Sequence, residues 1–248
     1  MSAYDEIGVT YALTRRPDPR IERQIADALG GARTVINVGA GVGAYEPRDR
    51  EVVAVEPSAV MLAQRAPDAA PAVQASAEAL PFPDKSFDAA LAVLTMHHWR
   101  DWRSGIAELR RVARARVAML TFDPARIGDY WLVHDYLPQI AVQDEARFPP
   151  LATVAEALGG AEIVSVPIAH DCTDGFLCAW WRRPLAYLAE GVRANISSFA
   201  TIAPVSVAEA LERLQRDVAD GTWARRNADL LARDEADFGY RLLISTAP

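Results

Sequence analysis

From residue 34 to residue 122 the chain alternates short apolar runs with helix-spaced segments, and that alternation admits few architectures. Thr34-Val35-Ile36-Asn37-Val38, Glu51 to Val55, the run at Val73, Phe87 to Val93 and Arg116 to Phe122 read as strands. Phe87 to Val93 is nearly all apolar, as a strand covered on both faces requires. Between the strands, Ser58 caps a helix through Val60, Met61, Leu62 and Arg65, and Ile106, Leu109, Val112 and Ala113 mark another. Such alternation predicts a parallel α/β sheet with crossover helices. Ahead of it, Ile21, Ile25, Ala26, Ala28 and Leu29 repeat at helical spacing, stopped by Gly30-Gly31.

After Asp123-Pro124 the pattern changes. Residues 126–158 look helical and carry Tyr130, Trp131, Tyr136 and Phe148; Ala161 to Ile168 reads as a sixth strand. Residues 180–235 read as mostly helical, and Tyr240 to Ser245 as a last strand. No repeat, low-complexity segment or long linker divides the chain. One domain over 1–248 is expected, with a core at 30–123, lid elements at 124–158 and 180–235, and final strands within 161–168 and 240–245.

Composition narrows the function. With 248 residues, 51% hydrophobic, the chain can bury one large core. No run reaches eighteen apolar residues, so no membrane span is expected. The net charge of −7, without a basic cluster, argues against a nucleic-acid partner. Lys85 is the sole lysine among 26 basic residues, and alanine is abundant, which suggests a GC-rich bacterial genome. The opening Met1-Ser2-Ala3-Tyr4-Asp5-Glu6 lacks the basic start and apolar run of a signal peptide. The two cysteines, Cys172 and Cys178, cannot build a disulfide framework, so a reducing cytoplasmic setting is expected. No motif bears on oligomeric state.

Directly after the first strand comes Val38-Gly39-Ala40-Gly41-Val42-Gly43-Ala44. Glycines there let the backbone bend sharply and lie against a nucleotide cofactor. Alone the turn fits both methyltransferases and NAD enzymes. Glu56, seventeen residues after Gly39, ends the second strand, where a carboxylate can accept both ribose hydroxyls of an adenosine. A plain structural turn and a dipole-stabilised carboxylate are the simpler readings of the two.

The stretch from Ala75 to Asp88 separates the classes. With the two preceding motifs it resembles the methyltransferase family that includes ubiquinone/menaquinone-biosynthesis C-methyltransferases, over roughly residues 34–122. The resemblance implies a Rossmann-like class I fold of seven strands, mostly parallel, with Tyr240 to Ser245 antiparallel and a helical lid. It implies S-adenosylmethionine (SAM) as cofactor, held at the adenine by the backbone of Ala77 and by the side chain before it. Here that side chain is Ser76 in place of the usual Asp, so recognition falls to Ser76 or Glu78. Asn37 replaces the family's first-strand acid. Tyr11 and Arg16-Pro17 resemble an arrangement that covers the cofactor's methionine end, a guanidinium pairing with its carboxylate. Only residues 44–51, with Pro47 among them, separate the glycine turn from the second strand, leaving room for one or two helical turns.

Thr95-Met96-His97-His98-Trp99 follows the fourth strand, on the side where ligands bind parallel sheets. A histidine there could serve as general base. Treating the segment as extended, His97 and His98 should point apart, and His98 is the first choice because Trp99 and Trp102 could wall the pocket. Loop-orienting histidines are the simpler reading, and adjacent histidines without carboxylates argue against a metal site. His170-Asp171-Cys172-Thr173-Asp174-Gly175-Phe176 could reach the acceptor, although turns made by Asp171 and Asp174, with Gly175 at positive φ, account for it better. Trp131, Tyr136, Trp180 and Trp181 are either core or a lid over a small substrate. The expected function is methyl transfer from SAM to oxygen, nitrogen or carbon of a small molecule. The alternatives are an NAD(P)-dependent oxidoreductase and a non-catalytic SAM-binding regulator.

Overall fold

The computed structural model describes residues 16–246. Helix α1 (Pro19–Leu29) follows from local signals. Asp18 caps it by accepting from the Arg20 N–H at 3.0 Å, Pro19 occupies the first turn, and Ile21, Ile25, Ala28 and Leu29 form its buried face. Strand β1 (Thr34–Val38) is then locked in register to a later strand. Asp88 Oδ2 accepts from the N–H groups of Arg33 and Thr34 at 2.9 and 3.0 Å, while Thr34 Oγ1 accepts from the Asp88 N–H at 2.9 Å.

The main sheet continues through β2 (Glu51–Val55), β3 (Ala72–Val73), β4 (Phe87–Val93) and β5 (Ala113–Phe122). Helix α2 (Ala59–Ala63) lies between β2 and β3, and α3 (Trp102–Val112) between β4 and β5. β6 (Glu162–Ser165) lies at one edge; β7 (Ile168–Ala169) and β8 (Glu235–Ala236) pair in a separate two-stranded ribbon; β9 (Tyr240–Thr246) closes the chain. The seven-strand order is β3-β2-β1-β4-β5-β9-β6. The first five strands are parallel, and β9 runs antiparallel to both neighbours. The parallel strands are those the alternation predicts, and the seven-strand count with an antiparallel last strand is what the resemblance implies.

Three elements differ from expectation. Residues 39–50 form turns and bends with no helix, because the glycines and Pro47 leave no run able to nucleate one. The sixth strand ends at Ser165 rather than running to Ile168: Pro167 offers no N–H to the ladder, and the chain crosses to β7. Between 124 and 158 the helix is broken into a 3₁₀ turn (Pro124–Asp129), a π turn (Leu132–Tyr136), α4 (Gln139–Arg147) and α5 (Leu151–Ala157), with Pro138, Pro149 and Pro150 at the breaks. Further on, α6 (Glu190–Arg193), α7 (Pro204–Ala219), α8 (Thr222–Arg226) and α9 (Ala228–Leu231) supply the later helical layer.

One apolar core joins these layers to the sheet. Trp131 and Trp181 are buried, and Trp131 Nε1 donates to the Trp181 carbonyl at 2.8 Å. The Trp131 ring meets Tyr136, Tyr187 and Trp223 edge-on. Trp131, Tyr136 and Trp181 are therefore core, and Trp180 carries the Arg183 guanidinium on its face. Among the described residues no helix is long and apolar enough to cross a membrane.

Candidate functional site

The glycine turn sits at the carboxyl end of β1. Gly39, Gly41 and Gly43 all have positive φ, at 70°, 55° and 93°. The N–H groups of Gly39 and Ala40 both donate to the Val55 carbonyl, at 2.8 and 3.0 Å, so the turn is tied to the end of β2. The first two glycines are required for different reasons. A Cβ on Gly39 would lie 2.0 Å from Thr95 Oγ1, so its bareness serves contact with the end of β4. Among the described residues, a Cβ on Gly41 would meet only the tip of Met61, at 3.2 Å.

Glu56 is buried at the end of β2, and its two oxygens accept from Gly41 N–H and Ser58 N–H, each at 2.9 Å. Its carboxylate thus faces the turn. Behind the turn, a pair missed from sequence supports it: Glu46 and Arg65 form a buried ion pair at 2.7 Å. Arg65 also donates to the Gly41 carbonyl at 3.0 Å. Asn37 Nδ2 donates to Glu46 at 3.4 Å, while Asn37 Oδ1 has no partner among the described residues. The charge absent from the first strand is therefore carried nearby by Glu46. Its signal in the sequence was a lone Glu beside Pro47, which nothing local marks out.

Ala77 is buried and Ser76 exposed, in the loop entering β4. Glu78 ties that loop to the start of α3: it accepts from Arg100 and Asp101 N–H at 2.7 and 3.3 Å and also from the Ser76 side chain. Burial would raise its carboxyl, yet hydrogen bonds from its own backbone, Arg100 and Asp101 keep it below the usual range. Arg111 on α3 fastens the rest of the loop, donating to the Leu80, Phe82 and Asp84 oxygens at 3.0, 2.7 and 2.8 Å.

Tyr11 lies outside the described residues. Arg16 is exposed just before α1. The segment after it is clasped to the later loop: Thr173 N–H donates to Asp18, and the Tyr45 hydroxyl donates to Asp174 at 2.9 Å. Asp171 pairs with Arg20 at 2.6 Å. The residues 170–175 thus serve as a structural clasp, and Gly175 is not among the glycines at positive φ. Phe176, next along, lines a cavity.

That cavity opens at the carboxyl ends of β4 and β5, lined by Leu94, His97, Phe122, Asp144, Phe148 and Tyr240 among others. Leu94 has φ of +49°, an uncommon conformation for leucine, and it swings the chain from β4 into a 3₁₀ turn at Met96–His98. This corrects the expected extended geometry of the histidines. On the 3₁₀ turn the His97 and His98 rings lie 3.8 Å apart instead of pointing to opposite sides. His97 lines the cavity and stacks on Phe148 at 4.8 Å, whereas His98, Trp99 and Trp102 do not line it. Trp99 packs instead against Gly105 of α3, where a Cβ would come within 2.4 Å of its ring. Asp144, missed from sequence, is buried on α4, and burial pushes its carboxyl up to about 6 against the opposing charge of Arg147. Only the fold could show it, because its neighbours in sequence are ordinary amphipathic-helix residues.

Residues 36–120 match the pattern of a methyltransferase domain. The solved structure of a candidate methyltransferase of an antibiotic biosynthesis pathway, from Anabaena variabilis, is 34% identical; the match covers 94% of this chain and 99% of that one, with a TM-score of 0.87. A malonyl-[acyl-carrier protein] O-methyltransferase of Halorhodospira halophila is 30% identical over 57% of this chain and 55% of its own. An uncharacterized methyltransferase of Bacillus subtilis is 30% identical over 45% of this chain and 44% of its own. The chain thus spans about half the length of these two curated relatives.

Proposed function

This chain belongs to the class I SAM-dependent methyltransferases, and from that premise we propose that it methylates a small molecule held in the cavity at the ends of β4 and β5. One adjacency carries the reading. Thr95 abuts Gly39 of the turn, while its chain neighbours Leu94 and His97 line the cavity. A cofactor on the glycine turn and an acceptor in the cavity would therefore be close neighbours.

The residues present suit the cofactor. Among the described residues the space in front of Gly41 is open to it, and the buried Glu56 carboxylate at the end of β2 suits ribose hydroxyls. Gly39 and Gly41 would cradle it, Ser76 and the Ala77 backbone would hold the adenine, and Arg16 with Tyr11 would cover the methionine end. When bound, SAM supplies a methyl group on a sulfonium leaving group. The protein's own task is to orient the acceptor, exclude water and remove a proton. His97, on the cavity wall, is the residue in this reading that takes the acceptor's proton, with the tilted His98 ring packed beside it as its support. Residues 126–148 and 180–200 act as a lid. Cavity-lining contributions from Ile127, Phe148, Asn195 and Ile196 support this. The methylated atom is oxygen, nitrogen or carbon. A cytoplasmic setting suits Cys172 and Cys178, which are buried free thiols; burial pushes Cys172 up to about 12.

Mass spectrometry of a small-molecule library incubated with enzyme and SAM tests the reading. One product heavier by a methyl group, formed one-for-one with S-adenosylhomocysteine, is expected. Its rate should fall roughly 10²-fold in His97→Ala. Equal turnover in that variant would remove His97 from the chemistry.

A further inference from the structure

The cavity contains a buried carboxylate that the protein offsets only through Arg147, without an ion pair among the described residues. Asp144, on α4, is only 6% exposed. Among the described residues no ion pair reaches its carboxylate, and Arg147, a turn further on, is exposed at the rim. The other groups facing the cavity are His97 from the 3₁₀ turn, the Tyr240 phenol from β9, and the neutral dipoles of Asn195, Ser197 and Ser198. Cys178 lies close enough to feel the Asp144 charge.

Much of the remaining wall is aromatic and continuous. His97 stacks on Phe148 at 4.8 Å, Phe148 meets Phe122 at 5.7 Å, Phe122 meets Tyr240 at 5.3 Å, and Tyr240 meets Phe176 at 4.6 Å. Ring faces attract cations, and a dry carboxylate gains most from a charged donor. An anion would be repelled by Asp144. A neutral molecule would leave the carboxylate buried and unpaired, which is costly.

We propose that the acceptor carries a protonated amine on an apolar or aromatic body, the nitrogen pairing with Asp144 while Phe148, Phe176 and Tyr240 enclose the body. This deepens the reading of the cavity as the acceptor site and rests on it. The ammonium is an anchor, distinct from the atom that takes the methyl group, because a protonated nitrogen has no lone pair with which to attack.

Calorimetry on the full chain loaded with S-adenosylhomocysteine tests this with three probes of one shape: 2-phenylethylamine, 2-phenylethanol and 3-phenylpropionate. The amine should bind at least tenfold more tightly than the alcohol, and the carboxylate weakest of all. In Asp144→Asn the amine should lose at least tenfold, with the alcohol's affinity and the S-adenosylhomocysteine affinity both within twofold of wild type. Equal binding of amine and alcohol by the wild-type chain, or an amine affinity unchanged in Asp144→Asn, would overturn the proposal. The wild-type comparison stands even if the variant folds poorly. Failure to bind S-adenosylhomocysteine at all would instead strike at the methyltransferase reading beneath it.

Discussion

The carboxylate of Glu56 accepts a hydrogen bond from the backbone N–H of Gly41 at 2.9 Å, so the residue suited to the ribose also sets the shape of the turn. Replacing Glu56 with Ala removes both functions. SAM affinity should fall about tenfold or more, from lost charge-assisted bonds worth roughly 1.5–3 kcal/mol. Melting temperature should fall too, since the Gly41 and Ser58 N–H groups lose their acceptor. Glu56→Gln, which keeps one acceptor oxygen, should lie between the two in both calorimetry and thermal melts.

Gly39 and Gly41 should fail in different ways. Gly39→Ala combines left-handed backbone strain with overlap on Thr95, an expected stability loss of about 2–5 kcal/mol. Among the described residues Gly41→Ala meets only Met61 and should cost about 1–2 kcal/mol from strain, while SAM binding suffers far more. Urea denaturation beside calorimetry separates them. A Gly41→Ala protein that binds SAM normally would remove the cofactor from the front of the turn.

Arg111 reaches three oxygens of the loop that precedes β4. Arg111→Ala should raise hydrogen exchange at residues 76–84 and weaken SAM binding several-fold, leaving α1 and β5 protected. Unchanged exchange in that loop would show that Glu108, which accepts from the Leu80 N–H at 2.8 Å, holds it alone.

Two buried aspartates should give opposite pH dependences. Burial raises Asp144 to about 6 from 3.8, so the folded state binds its proton more tightly than the unfolded chain. Its effect on stability is nil below 3.8, grows unfavourable up to about 6, and persists above. Relative to wild type, Asp144→Asn should gain about 3 kcal/mol between about pH 3.5 and pH 7, since each pH unit between the two proton affinities contributes about 1.36 kcal/mol. Asp18 behaves the other way. Burial would raise it, but hydrogen bonds from Arg20 and Thr173 bring it down to about 2, so its stabilisation holds above 3.8 and disappears as pH falls through about 2. Denaturation series on Asp144→Asn and Asp18→Asn check the signs. A flat difference curve for Asp144→Asn would contradict a dry carboxylate in the cavity.

The parallel sheet was legible because its strands are buried runs bounded by glycine, proline and cap residues, signals that lie within a few positions of each other. Gly39, Gly41 and Glu56 were legible for the same reason, since one turn and one strand end bring them together. The relatives place the chain in the methyltransferase class and do not bear on the ubiquinone/menaquinone-type subfamily. The acceptor side was less readable. Its cavity draws Phe122, Asp144, Phe148 and Tyr240 from segments far apart in sequence, so no local spacing joins them. The geometry assumed for His97 and His98 was not legible: a left-handed Leu94 and a 3₁₀ turn replace the extended chain. Residue type alone left Trp131 and Trp181 open as core or lid; they fill the core, while phenylalanines face the cavity.

The central claim is that the glycine turn and Glu56 hold SAM, and calorimetry of the purified chain against SAM, S-adenosylhomocysteine and NAD tests it most directly. Binding of both adenosyl ligands, weakened at least tenfold in Glu56→Ala, with NAD far weaker, is the predicted result. Tight NAD binding with no response to either adenosyl ligand would contradict it.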